Sequence, residues 1–377
     1  MSSLILASFS EVAGYIGYIL LAVLVLLVMI TVHELGHYIA GKIFGFGIEE
    51  FAIGFGPKLF KRKNKKTGEI FSVRLFPIGG FCAFKGEDKD DDDPTAFNNR
   101  KPWQRIIVLI SGAFMNYLLA LLIIATMFFS YGQTMLIAYN TEHSADPIYT
   151  VENSFQDRDI IFTANGKNVY LITDLMNSTA DKKAGDTVRF TVMRNGQMKT
   201  IDLLLRADTD YKNVEDLSPL YTALGIQMKT DSQTGKITES GLYQTGVKFG
   251  FFQTLGKSVV YSFKVAGSIF TVLGQLINGS LGIGSLGGTV TTISVTATAI
   301  KVGGFRNLLN IASFIGVNLA VFNLLPIPAL DGSRVVFTAI EWIRRKPLNR
   351  KVEGLIHAVG LVLIMAFAIF IDLQQCF

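Results

Sequence analysis

Four long apolar runs divide this chain, at residues 15–32, 106–129, 307–330 and 354–371. A helix needs about 20 apolar residues to cross a bilayer, so each run predicts one transmembrane helix. Composition supports the prediction, because only 17% of the 377 residues are charged, whereas soluble domains carry about 25%. The pattern therefore predicts an α-helical polytopic membrane protein with about four transmembrane helices.

Basic residues predict how these helices are oriented. They concentrate at 58–66 and 100–105, after the first run, and at 334–351, after the third run. Short loops rich in Lys and Arg stay in the cytoplasm. We therefore expect the N-terminus, the 131–247 segment and the C-terminus outside a plasma or inner membrane. This distribution accounts for the net charge of +5 and implies the lipid bilayer, not nucleic acid, as the partner.

Residues 131–235 are different in kind and predict a small extracytoplasmic domain. Strand-like segments at 159–164 and 187–194 run into the turn sequences Asn165-Gly166 and Asn195-Gly196, and 173–183 is expected to form a short helix. This order of elements resembles a PDZ domain. A β-rich spacer domain without that fold is the alternative.

Residues 236–303 are predicted to lie at the membrane surface. Phe252, Leu255, Val259 and Phe263 share one helical face, as in an interfacial amphipathic helix. The uncharged stretch 265–300 is interpreted as interfacial or re-entrant, with a fifth transmembrane helix as the alternative. Elsewhere, the acidic run at 87–93 is expected to be a solvated loop.

Candidate chemistry lies where the first run ends, in the H-E-x-x-H sequence at 33–37. Residues four apart share a helical face, so His33 and His37 can bind one zinc ion while Glu34 acts on water as a general base. Glu34 is also the only charged residue between Glu11 and Lys42, and ionisable groups inside a membrane helix are usually functional. Two histidines that only form hydrogen bonds within a helix bundle are the alternative.

A zinc site needs a third protein ligand, and Asp331 is the best candidate. It follows Pro326 and Pro328, which break a helix and indicate irregular backbone that lines a cavity. If the chain crosses the membrane twice between 42 and 331, the aspartate and both histidines lie at the cytoplasmic side. His143 and His357 are poorer candidates. An Asp-Gly turn at the surface is the alternative interpretation of Asp331.

These motifs together resemble the site-2 protease family of intramembrane zinc metalloproteases. The resemblance rests on the H-E-x-x-H, the PDZ-like insert and the N-x-x-P-x-P-x-L-D-G sequence at 323–332. It is closest to bacterial members that release anti-sigma factors or clear signal-peptide remnants. It implies zinc ligation by His33, His37 and Asp331, and catalysis by Glu34. The implied partners are single-pass membrane proteins, trimmed beforehand by another protease and then cut by regulated intramembrane proteolysis.

The resemblance also implies residues that bind substrate. Asn323 and Asn318 are candidates, and so is Asn116, although Gly112-Ala113 stands before it where the family usually has Gly-Pro. Residues 71–85 resemble the family's membrane-associated β-hairpin, with Gly79 and Gly80 in its turn. A strand edge there can hold an unwound substrate by strand addition. An ordinary hairpin that covers the enzyme is the alternative.

The expected organisation has four parts. Residues 1–130 carry the first two transmembrane helices, the H-E-x-x-H and the hairpin, and residues 131–235 form the PDZ-like domain, in which Arg158 replaces the glycine that normally precedes the Asp159 position. Residues 236–303 are the surface segment, and 304–377 carry the last two helices.

Two other functions stay open: a membrane scaffold or chaperone, and a metal or proton transporter. The complete set of active-site residue types argues against the scaffold, and the absence of internal repeats argues against the transporter.

Overall fold

The structure is a computed structural model that describes residues 2–87, 91–138, 154–180, 182–209, 218–226, 229–230, 237–239, 241–279 and 287–376. His143 and residues 88–90 of the acidic run lie outside the described residues. The chain forms two compact units. One consists of Met1–Met127 together with Phe251–Phe377, and the other of Phe128–Gly250.

Helices and antiparallel strands make up both units. The helices are α1 (Ser2–Ile43), α2 (Pro102–Tyr131), α3 (Ile172–Thr179), α4 (Ser218–Leu224), α5 (Phe251–Ile277), α6 (Thr289–Leu324), α7 (Asp331–Arg344) and α8 (Arg350–Cys376). The strands are β1 (Ile48–Lys63), β2 (Ile70–Phe84), β3 (Gln133–Ala138), β4 (Ile160–Ala164), β5 (Lys167–Asn168), β6 (Thr187–Arg194), β7 (Gln197–Leu204), β8 (Lys229–Thr230), β9 (Ile237–Glu239) and β10 (Leu242–Val247).

Within the described part of the chain, five helices are long and apolar enough to cross a membrane: α1, α2, α5, α6 and α8. Three of them, α1, α2 and α8, contain a predicted apolar run, and α6 contains residues 307–324 of the run 307–330, which agrees with a helical membrane protein. The additional one, α5, begins in the segment predicted to be interfacial. Its predicted apolar face is exposed, while its buried face carries Thr254, Ser258 and Ser262. Length and composition do not decide whether α5 crosses, so the number of crossings stays a prediction.

The predicted limits of the third run, 307–330, are wrong. The helix α6 begins at Thr289, is kinked at Gly304 and ends at Leu324, and Asp331 begins α7 instead of ending a transmembrane helix. The early end has a physical reason, because proline lacks an N–H and restricts the residue before it to extended conformations. Pro326 and Pro328 therefore leave a non-helical linker, in which Ala329 has a φ of +76°.

Two hydrogen-bonding contacts show that α6 runs parallel to α1. Near the starts of the two helices, the hydroxyl groups of Tyr15 and Ser294 are 3.3 Å apart. Further along both helices, the amide nitrogen of Asn323 lies 3.4 Å from His33 Nδ1. The linker that follows α6 therefore reaches the level of the H-E-x-x-H.

The helix α2 runs antiparallel to α1 and packs closely against it. A Cβ at Gly36 would collide with the carbonyl oxygen of Ser111, so the two backbones touch there. Later along α2, Ala120 and Met29 both lie against Gly316 of α6. From the first contact to the second, the residue number rises along α2 and falls along α1, so these two helices are antiparallel. The contact at Gly316 also places α2 beside α6.

The hairpin of β1 and β2 bends back on itself. Residues 50–53 of β1 pair with 80–83 on one side and with 70–73 on the other, while 58–63 pair with 70–74. The hairpin predicted at 71–85 is thus present and begins earlier in the chain. Among the described residues, the 80–84 segment pairs on one side only, so it is an edge of this sheet.

The second unit is built around a six-stranded sheet with the order β10-β3-β4-β6-β7, in which β5 pairs with β4. Both predicted Asn-Gly turns are present, with positive φ at Asn165, Gly166, Asn195 and Gly196, as type I′ turns require. Arg158 also has a positive φ, of 70°, the region that favours the glycine expected there. The resemblance of this unit to a PDZ domain stays a prediction.

Candidate active site

The structure brings His33, His37 and Asp331 to one point. Both histidines project from α1, and Asp331 is the first residue of α7. His33 Nε2 lies 2.9 Å from Asp331 Oδ2, His37 Nε2 lies 3.3 Å from the same oxygen, and the two Nε2 atoms are 3.1 Å apart. Among the described residues, no other group of three His, Cys, Asp or Glu side chains meets in this way.

This geometry fits a zinc ion. Tetrahedral zinc binds nitrogen and oxygen at about 2.0–2.2 Å, which separates neighbouring donor atoms by roughly 3.3 Å. The three distances measured here are close to that separation. Two imidazoles and one carboxylate are also a donor set that suits zinc, and one tetrahedral position would remain for water or substrate.

The two imidazoles are oriented by partners on their other side. His37 Nδ1–H donates to the carbonyl oxygen of Val108 at 2.8 Å, which directs Nε2 toward the metal position. His33 Nδ1 lies 3.4 Å from the amide nitrogens of Asn116 and Asn323. Asn116 is fully buried, and its Oδ1 has no hydrogen-bond partner among the described atoms. Rotating this amide would present that oxygen to His33 Nδ1–H.

Gly112 of α2 lies directly against both histidines. A Cβ there would stand 2.6 Å from His37 Cε1 and 2.8 Å from His33 Cε1. Real Cβ atoms essentially never show such distances, so the site requires a residue without a side chain. The sequence showed Gly112 only as part of a departure from the family pattern, because its contact is made across two helices.

Glu34 lines a cavity of about 480 Å³ together with His37 and Asp331. Residues 81–84, on the edge of the hairpin, line the same cavity. The backbone amide of Cys82 faces the Glu34 carboxylate, and a Cβ added at Gly80 would lie 3.5 Å from Glu34 Cγ. The structure thus brings the hairpin edge to the predicted general base.

Comparison with known proteins shows the family. Residues 21–367 match the model of peptidase family M50. The chain belongs to peptidase family M50. It is 32% identical to a protein of Clostridium perfringens named "Putative zinc metalloprotease", over 95% of this chain and 98% of the relative. It is 27% identical to "Zinc metalloprotease RasP" of Bacillus licheniformis, over 93% of this chain and 97% of the relative.

These findings confirm the resemblance to the site-2 protease family and the predicted class of enzyme, a membrane metalloprotease. The predicted zinc cofactor agrees with the relatives' names and with the His-His-Asp donor set of this M50 peptidase. For the other residues predicted to bind substrate, the structure gives their positions, and their role stays a prediction. Asn323 is half-buried, Asn318 has a buried Oδ1 without a partner among the described atoms, and Gly79 packs on the ring of Phe55.

His357 of this M50 peptidase lies beside the site, which was not predicted from the sequence. It lines the cavity with Glu34 and Asp331, and its Nδ1 accepts a hydrogen bond of 3.1 Å from the backbone N–H of Ala329. It therefore supports the linker that delivers Asp331. The available signal was that His357 is the only titratable group in the run 354–371.

Charges beside the site keep the hairpin of the M50 peptidase ordered. Burial opposes the ionisation of Glu50, but hydrogen bonds from Lys58, Ser72 and Arg74 outweigh it and lower the pKa of the carboxyl to about 2. At Cys82, burial and the negative charge of nearby carboxylates raise the pKa of the thiol. Cys82 is therefore an uncharged thiol in the lining of the active-site cavity.

Proposed function

We propose that this M50 peptidase hydrolyses peptide bonds within or near the transmembrane segments of single-pass membrane proteins. The observation that carries the proposal is the convergence of the His33, His37 and Asp331 donor atoms, 2.9–3.3 Å apart, inside a bundle of apolar helices. Their setting between apolar helices favours a substrate that is itself part of the membrane.

Each residue of the site has a role in this proposal. His33, His37 and Asp331 would hold the zinc ion, which when bound would supply Lewis-acid polarisation to the scissile carbonyl and to water. Glu34 takes a proton from the attacking water and then donates it to the leaving amine. Its carboxylate lines the same cavity as His37 and Asp331, which supports this role.

Asn116 and Asn323 are given different tasks. Asn116 is completely buried beside His33 Nδ1, where a substrate does not reach its side chain. Its position therefore favours a role in orienting the His33 imidazole. Asn323 is less buried and lies at the end of α6, next to the linker. It remains our candidate for a substrate contact, together with Asn318.

We infer that the substrate binds as an added strand. A peptide bond in a transmembrane helix is shielded by the hydrogen bonds of that helix, so the segment must unwind before it can be cut. The edge at residues 80–84 offers backbone groups on the side of the sheet that faces Glu34. An extended peptide paired with this edge would pass in front of the proposed general base.

Water has a polar route to the site in this proposal. A second cavity of about 300 Å³ is lined by charged residues of α2, α7 and α8 and shares Glu87, Arg334 and His357 with the active-site cavity. Glu87 and Arg334 form an ion pair between the two cavities. Since basic residues surround the second cavity, we expect it to open to the cytoplasm.

The second unit is proposed to act as a PDZ-like filter outside the membrane, which admits substrates already trimmed by another protease. Its six-stranded sheet, its short helices and the two Asn-Gly turns support a compact domain of this type. Anti-sigma factors and signal-peptide remnants are the substrate classes that the family resemblance favours. The scaffold alternative is not favoured, because the donor set and the base are all present. The transporter alternative is not favoured, because the sequence has no internal repeats and the relatives are named zinc metalloproteases.

The decisive experiment compares purified wild type with Glu34→Gln, Asp331→Ala and the control Glu49→Gln. Glu49 is an exposed carboxylate at the start of β1, outside the lining of the active-site cavity. Zinc content and cleavage of a model transmembrane substrate are both measured. We expect Glu34→Gln to keep zinc and lose cleavage, Asp331→Ala to lose both, and Glu49→Gln to match wild type. Cleavage by Glu34→Gln at the wild-type rate would refute the mechanism.

A further inference from the structure

A third cavity, of about 600 Å³, lies on the face of α1 opposite the metal site. At about 100° per residue, Leu35 and Tyr38 project from α1 on the side away from His33 and His37. Both line this cavity. It is therefore separate from the catalytic cavity, and the proposed peptidase mechanism does not use it.

The floor of this cavity is apolar and belongs to the sheet of the hairpin. Ile48 and Phe51 are buried there, Phe51 meets the ring of Tyr38 edge-on with centroids 5.5 Å apart, and Phe71 is 39% exposed. The lining thus combines aliphatic and aromatic surface that stays partly uncovered. Such a surface suits a hydrocarbon chain.

The rim of the cavity is basic. Arg62, Lys63 and Lys65 line it, are exposed and form no ion pair with any described residue. The acidic residue of the rim, Glu69, is already neutralised by an ion pair with Lys42. The rim therefore carries an excess of three positive charges that no described residue of the chain balances.

The position of the cavity along α1 is the third observation. Leu35 lies seven residues before Lys42, about 10 Å away along the helix, and Lys42 pairs with Glu69 of the rim. In the proposed topology, the Leu35 end of the cavity is therefore the deeper one and the basic rim lies toward the membrane surface. On the neighbouring side of α1, Ile39 and Ile43 are 41% and 73% exposed. The mouth of the cavity thus borders exposed apolar helix surface, which suits contact with lipid.

We propose that this cavity binds one anionic phospholipid. The acyl chain lies against Leu35, Phe51 and Phe71, and the phosphate contacts the rim formed by Arg62, Lys63 and Lys65. The charge complementarity selects an anionic over a zwitterionic headgroup, since basic residues near a membrane surface are attracted to anionic lipids. The lipid would fix the hairpin against the end of α1.

The test uses the purified full chain in detergent and native mass spectrometry with phosphatidylglycerol, phosphatidylcholine and glycerol phosphate as probes. Arg62→Gln/Lys65→Gln removes two charges from the rim. Lys61→Gln/Lys66→Gln is the matched control, because it removes two charges from the same hairpin at residues that do not line the cavity. None of these exposed side chains has a packing role that would prevent folding.

We expect one retained phosphatidylglycerol per chain, weaker retention of phosphatidylcholine, and no displacement by glycerol phosphate. The rim variant should lower the affinity for phosphatidylglycerol about thirtyfold, and the control less than threefold. Equal retention of the two lipids would overturn the proposal. So would equal losses in both variants, which would indicate general surface attraction, or displacement by glycerol phosphate, which would indicate a free-phosphate site.

Discussion

Individual residues of the metal site depend on a close approach between two helices. Gly36 and Gly112 let the backbones of α1 and α2 touch beside the histidines. The sequence suggested His33 and His37 because they form the H-E-x-x-H motif, and Asp331 because it lies just after two helix-breaking prolines. Gly112 could not be found in this way, since its partners are about 75 positions away in the chain and only packing brings them together.

Replacement of Gly112 by alanine tests this packing. The added Cβ would overlap His33 and His37, so one imidazole must turn away. We expect zinc affinity to fall by about 10–100-fold, the range for changes that disturb ligand orientation, with at least an equal loss of cleavage. Zinc titration of the purified variant measures the first effect. Gly256→Ala, a helical glycine with nothing within 4 Å of its Cβ position, should behave as wild type.

His357 supports a second prediction at this scale. Its Nδ1 holds the N–H of Ala329, whose left-handed conformation costs about 1–2 kcal/mol and needs such a contact. His357→Ala should loosen the linker and lower zinc affinity several-fold, while His357→Gln keeps an acceptor and should restore most of it. Both variants are compared by zinc titration and by cleavage. If His357→Ala binds zinc as tightly as wild type, the linker does not depend on this hydrogen bond.

Elements were predicted well where their ends are marked chemically. The apolar runs located α1, α2, α6 and α8, and the Asn-Gly pairs located two turns of the second unit. The limits of α6 were missed, because the run 307–330 continues through two prolines at which a helix cannot continue. The double bend of the hairpin could not be predicted from the sequence pattern either. Residues 50–53 pair with a strand segment on each side, whereas the alternation of apolar and polar residues shows only which face of a strand is buried, not which segments it pairs with.

The hairpin edge leads to a prediction for Gly80. The Cβ of a valine there would crowd the Glu34 side chain and the carbonyl oxygen of Ala52, and its nearest neighbours include none of His33, His37 and Asp331. We expect Gly80→Val to keep its zinc and to cleave a transmembrane substrate at least about tenfold more slowly. Gly68→Asn serves as the control, because this hairpin turn has a positive φ of 80° and open space around it, which asparagine tolerates. Wild-type cleavage by Gly80→Val would mean that the substrate does not pass along this edge.

For the whole molecule, the directions of the helices limit the topology. Since α1 and α6 are parallel and α2 is antiparallel to both, α2 ends on the side of the membrane where α6 begins. A single crossing by α5 would put the start of α6 on the wrong side, although α5 is long and apolar enough to span. We therefore propose four crossings, with α5 interfacial or re-entrant on the side where α2 ends.

Cysteine labelling tests this topology. In a chain with Cys82 and Cys376 replaced by serine, single cysteines are placed at Asn278, just after α5, at Lys248, just before it, and at Lys66 in the hairpin. A membrane-impermeant maleimide is added to intact cells. Because the basic hairpin is expected in the cytoplasm, Lys66→Cys should label only after lysis, whereas Lys248→Cys and Asn278→Cys should both label from outside. If Asn278→Cys instead labels together with Lys66→Cys, α5 crosses the membrane and the proposed four-crossing topology is wrong.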